Sequence, residues 1–182
     1  MPGLSSEELQ ALIRVCKNQR DKTLFLFLAD SGLRASELCG LNMADTHLLT
    51  GAVMVEHGKG DKRRVTYIGQ RVRQELRRYL KTRRDLKPDA PLFATDEGSR
   101  FSYNGLRSLM VRRGADAGVL VSLHDFRRFF AITMLRNGTD VITLSRLMGH
   151  SGLEVLKRYL NQMHDDLGVA HKKASLVDNT YA

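Results

Sequence analysis

A mostly helical single domain carrying one small antiparallel sheet is the fold class that the sequence predicts, and three observations carry the prediction. Apolar residues recur at helical spacing along most of the chain, beginning with SSEELQALIRVC. One region breaks that spacing: VMVEH and RRVTYI, two β-favouring runs, flank the Gly-rich turn GKGDK, which is a hairpin signature. No internal repeat, low-complexity tract or linker divides the 182 residues, a length that accommodates one sizeable core.

The elements follow in order. Ser5 and Glu8 have the spacing of a capping box, so the first helix starts there. DKTLFLFLADSG is more uniformly apolar, which predicts a buried helix ended by Gly32. RASELCGL is a short helix, and the hairpin comes next. RVRQELRRYLKTRRDL predicts a long basic helix that runs until just before Pro88. Residues 89–101 hold Pro, Gly, Ser and Asp and read as a surface loop. Helices are expected at about 103–116, 123–137, 140–148, 152–162 and 165–175.

Two of these helix starts bear on chemistry. In SLHDFRRFF, Ser122 and Asp125 form a second capping box, which sets His124 in the first turn and Arg127 one turn later on the same face. Gly149 can end one helix while Ser151 and Glu154 cap the next. That holds His150 in a tight corner and puts Tyr159 two turns into the following helix.

Charge narrows the function classes. The net charge is +9. Residues 1–58 are net −2, residues 59–136 carry nineteen Lys/Arg against eight Asp/Glu, and residues 137–182 are neutral. A basic excess confined to the middle of the chain suits a polyphosphate, of which nucleic acid is the commonest. The two cysteines, Cys16 and Cys39, lie in apolar helical patterns and make no disulfide framework or zinc motif. The start, MPGLSSEEL, lacks the basic-then-apolar signature of a signal peptide, and no apolar run is long enough to span a bilayer. A reducing cytoplasm is the expected location.

Five separated stretches resemble, in order, the tyrosine recombinase (phage integrase) family, the leading SSEELQALI being similar to the start of the family's catalytic domain. SGLRASEL is similar to the first arginine motif and gives Arg34. HGKGDKRR is similar to the hairpin with the catalytic lysine and gives Lys59. LHDFRRFFA is similar to the His-x-x-Arg motif and gives His124 and Arg127. LMGHSGLEV is similar to the Gly-His motif and gives His150, and the nucleophile maps to Tyr159. The resemblance implies a catalytic domain over 1–175 with a tail at 176–182 and a three-stranded antiparallel sheet. Family members usually have a separate helical domain ahead of the catalytic one that clamps the DNA; this chain departs from that by beginning at the catalytic domain, as expected either of a fragment or of a minimal protein. Arg128 stands where family members often have histidine, and Leu156 where many have threonine.

The implied reaction explains why these residue types occur together. Attack on a phosphodiester builds negative charge on its non-bridging oxygens, which Arg34, Arg127 and a hydrogen bond from His150 can stabilise. A free phenol is only about 0.1% ionised at neutral pH, a handicap of roughly 4 kcal/mol. The cationic pocket lowers that cost, and His124 can accept the proton. Lys59 can protonate the departing 5′ oxygen. By the resemblance, the product is a 3′-phosphotyrosyl link that a second strand's 5′ hydroxyl reverses. No cofactor or metal is required.

The implied partner is double-stranded DNA, with a monomer in isolation, a tetramer on DNA and no membrane association. Lys62, Arg63, Arg64, Arg71, Arg107, Arg112 and Arg113 are expected to meet DNA phosphates. Two other readings stand beside the recombinase. One is a type IB topoisomerase with the same chemistry. The other is a DNA-binding module that has lost cleavage.

Overall fold

The computed structural model describes residues 4–56 and 63–149, with 171, 175, 177 and 180 as isolated positions. The turn GKGDK and the two helices expected beyond Gly149 lie outside the described residues.

The core is built on helix α2 (Gln19–Ser31), whose Leu24, Phe25, Phe27 and Leu28 are fully buried. Helices α4 (Gln70–Leu80) and α6 (Leu123–Arg136) both pack against it. Phe25 of α2 stacks on Phe126 of α6 with ring centroids 5.9 Å apart, and Phe27 meets Phe93 edge-on at 5.5 Å. Helices α1 (Ser6–Arg14) and α3 (Ala35–Gly40) pack on α5 (Tyr103–Ala117). A smaller apolar cluster of Phe130, Ala131, Leu135, Leu144 and Met148 joins α6 to α7 (Val141–Met148).

The local signals in the sequence explain most helix boundaries. Ser5 N–H donates to Glu8 Oε2 at 2.7 Å and Glu8 N–H to Ser5 Oγ at 3.1 Å, the expected capping box of α1. Gly32 ends α2 at φ +63°, where a side chain would be strained and a Cβ would overlap the Phe130 ring. Helix α4 departs from expectation, because it ends at Leu80 rather than just before Pro88. Its apolar face is exhausted at Tyr79 and Leu80. Beyond them Arg83 donates to the carbonyls of Pro91 and Leu92 at 2.7 and 3.1 Å, so the segment turns to hold the loop below it.

Strands β1 (Ala52–Val55) and β2 (Arg64–Tyr67) are antiparallel, with Ala52 opposite Tyr67 and Val55 opposite Arg64. Among the described residues the sheet has these two strands, and Thr46 adds an isolated bridge to Val53. Thr66 Oγ1 donates to Ser31 O at 2.8 Å, which ties the buried face of the hairpin to the end of α2.

Candidate active site

Three of the six residues expected to do chemistry fall within the described residues, and they come together. Arg34 is the N-cap of α3, immediately after the turn at Gly32. His124 and Arg127 lie on the first turns of α6, whose start is fixed by Ser122 N–H and Ser122 Oγ, both donating to Asp125 Oδ2 at 2.9 and 2.7 Å. Arg34, His124 and Arg127 line one hollow of about 240 Å³, together with Leu33, Ser36 and Tyr103. His124 is exposed at its rim. Lys59, His150 and Tyr159, and the expected phosphate contact Lys62, lie outside the described residues.

Arg127 is held rather than free to swing. It is 4% exposed, with Nη1 donating to Gly32 O at 2.5 Å and Nη2 to Met148 O at 2.7 Å. Those carbonyls stand at the C-terminal ends of α2 and α7, where the helix dipole is negative and favours a cation. One guanidinium therefore fixes the turn leading to Arg34 and the corner leading to His150 relative to the start of α6.

Arg34 is held by Glu37, one turn later in α3. Its N–H donates to Glu37 Oε2 at 2.7 Å and its Nη1 to Oε1 at 2.8 Å. Glu37 is buried, and burial pushes its carboxyl up. Hydrogen bonds from Arg64 and from the Arg34 backbone outweigh that and hold it below its ordinary value of 4.5. It is an anion at neutral pH.

The other basic residues divide into two groups. Arg63, Arg71, Arg107 and Arg112 are exposed, Arg63 lying 3.3 Å from Glu56 and Arg71 3.7 Å from Glu75. Arg64 and Arg113 were expected at phosphates, but both are committed inside the fold. Arg64 forks onto Glu37 at 2.7 and 2.8 Å. Arg113 donates from Nε and Nη2 to buried Asp21 at 3.2 and 3.1 Å and from Nη1 to Asp116 at 2.9 Å. Sequence reasoning passed over Tyr103, which is half exposed at the hollow. The available signal was its place at the capped start of α5, one turn before Arg107 on the same face.

The chain is 34% identical over 179 residues to the tyrosine recombinase XerA of Pyrococcus horikoshii, covering 97% of this chain and 62% of that protein. It is 35% identical over 150 residues to the tyrosine recombinase XerC of Thermodesulfovibrio yellowstonii, covering 78% of this chain and 50% of the relative. A crystal structure of XerA recombinase matches with a TM-score of 0.83 and 29% identity, over 96% of this chain and 66% of that one. XerH site-specific recombinase bound to difH substrate, at 24% identity and a TM-score of 0.73 over 97% of this chain and 53% of that one, shares the fold. The chain thus spans less than two thirds of the length of these relatives. The profile of the phage integrase family matches residues 3–165. With that match over most of its length, the chain belongs to the phage integrase family.

Proposed function

We propose that this chain is the catalytic domain of a site-specific DNA recombinase that cuts and rejoins strands through a covalent 3′-phosphotyrosyl intermediate at Tyr159. The observation that carries the reading is the single hollow shared by Arg34, His124 and Arg127, which brings two guanidiniums and an imidazole to one anion-sized space. Two cations oppose the charge that develops on the non-bridging oxygens, and they do so from fixed positions, so little reorganisation accompanies the reaction. Arg127 is anchored by two backbone carbonyls and Arg34 by Glu37.

In this reading His124, at the exposed rim, takes the phenolic proton of Tyr159. His150 adds a hydrogen bond to the phosphoryl oxygens, and Lys59 protonates the departing 5′ oxygen. Residues 1–175 form the catalytic unit and 176–182 a tail. The Thr46–Val53 bridge supports a third strand at the edge of the sheet. Arg63, Arg71, Arg107, Arg112 and Lys62 meet the phosphates of double-stranded DNA, on which four copies assemble. The reaction takes place in the cytoplasm and uses no cofactor. Tyrosine recombinase relatives at 34–35% identity favour this reading over topoisomerase-like relaxation.

The test is a nicked suicide substrate carrying the cognate site, which traps the covalent step because the cut strand's short end diffuses away. The expected result is an SDS-resistant protein–DNA adduct that is abolished in Tyr159→Phe and reduced about a hundredfold or more in Arg127→Ala. An adduct that persists in Tyr159→Phe would refute the assignment.

A further inference from the structure

Arg64 starts β2, five residues beyond Lys59 in the sequence, and its side chain is 9% exposed. Its three nitrogens reach two other elements. Nη1 and Nη2 fork onto the two oxygens of Glu37 in α3 at 2.8 and 2.7 Å, while Nε donates to Leu147 O in α7 at 3.1 Å. Gly149 lies against the same side chain, and a Cβ at that position would come within 2.6 Å of Arg64 Cδ and 2.8 Å of Nε. The corner after α7 is therefore shaped around this guanidinium.

Glu37 is also the partner of Arg34. The oxygen that accepts from Arg34 Nη1 accepts from Arg64 Nη1, and the oxygen that accepts from the Arg34 N–H accepts from Arg64 Nη2. Two guanidiniums thus share one carboxylate and leave the group with a net positive charge beside the hollow. If Arg64 were absent, Glu37 and Arg34 would be left as a closed neutral pair. The donors of Arg34 would turn toward the carboxylate, and Leu147 O would lose its side-chain donor.

We propose that Arg64 is a positioning residue for strand cleavage: by occupying Glu37 with its fork, it holds the Arg34 guanidinium toward the phosphate and fixes the Gly149 corner that leads to His150. The proposal rests on the recombinase reading. Arg64 touches no DNA in this account, so its loss slows the chemical step and leaves affinity in place. A single ammonium cannot reproduce the fork, so lysine is a poor substitute.

The test compares the wild-type chain with Arg64→Met and Arg64→Lys. Thermal melting checks folding, gel shift measures DNA affinity, and single-turnover adduct formation is timed on two nicked substrates. One substrate has an ordinary scissile phosphodiester, and the other has a neutral methylphosphonate there. Both variants are expected to bind DNA within about twofold of wild type and to form the adduct about tenfold more slowly or worse on the phosphodiester. That deficit should narrow several-fold on the methylphosphonate, because a linkage lacking the charged oxygen demands less of Arg34.

If wild type forms no adduct, the recombinase reading itself fails. If wild type reacts and the variants match it, or if their deficit is equal on both linkages, the positioning role is overturned. Failure of both variants to fold assigns Arg64 to stability and overturns it equally.

Discussion

At Glu37 a buried carboxylate accepts hydrogen bonds from two guanidiniums and a backbone N–H, and the sign of its titration follows from that. Burial raises its proton affinity, but the donors outweigh burial and hold the folded value below the ordinary 4.5. The unfolded chain therefore takes up that proton more readily than the folded one. The stabilisation is full above the ordinary value and is lost as pH falls through the lowered one. Thermal melting of wild type and Glu37→Gln between about pH 7 and about pH 3 checks this. The gap in Tm is expected to narrow on the acid side, and a gap independent of pH would contradict it. Residue identity alone was a poor guide to such partners. Arg64 and Arg113 looked like surface cations because Glu37 and Asp21, which claim them, are far away in the sequence. Arg34 and Arg127, which both line the hollow, stand in short local motifs that can be picked out along the sequence.

Helix ends that depend on neighbouring residues could be read directly, whereas ends set by tertiary packing could not. The pairs Ser5–Glu8 and Ser122–Asp125 cap α1 and α6 as their spacing requires, and Gly32 and Gly149 stop α2 and α7 in left-handed conformation. No glycine, proline or capping residue within RVRQELRRYLKTRRDL marks a stop at Leu80; the boundary comes from the apolar face running out there and from the loop at Pro91 and Leu92 capturing Arg83. The corner at Gly149 is an element boundary sensitive to change. A residue there must hold φ near +64° and leave room for Arg64. Gly149→Ala is expected to destabilise the protein by about 1–3 kcal/mol and to slow adduct formation. Chemical denaturation checks the first effect, and an unchanged midpoint would show that the corner relaxes without cost.

Across the whole molecule, the basic excess in residues 59–136 is divided between cations committed to partners inside the fold and cations left on the surface. That division gives a measurable contrast. Binding to DNA weakens with salt in proportion to the number of phosphates neutralised. Arg107→Ala and Arg112→Ala are each expected to flatten the log–log salt slope by about 0.9, whereas Arg113→Ala leaves the slope unchanged and lowers Tm by removing one of the two guanidiniums, Arg20 and Arg113, that pair with buried Asp21. Fluorescence anisotropy across a salt series separates the two outcomes. A flatter slope in Arg113→Ala would show that its pair with Asp21 opens on DNA. The order of motifs along the chain was visible in the sequence, but the meeting of Arg34, His124 and Arg127 at one hollow needed the packing of α2 against α6. The most direct measurement of that convergence is the identity of the residue that carries DNA. Trypsin cuts after Arg158, so a trapped adduct yields a peptide beginning at Tyr159. Mass spectrometry is predicted to find the nucleotide 3′-phosphate on Tyr159, and finding it on Tyr181 or any other side chain would contradict the account.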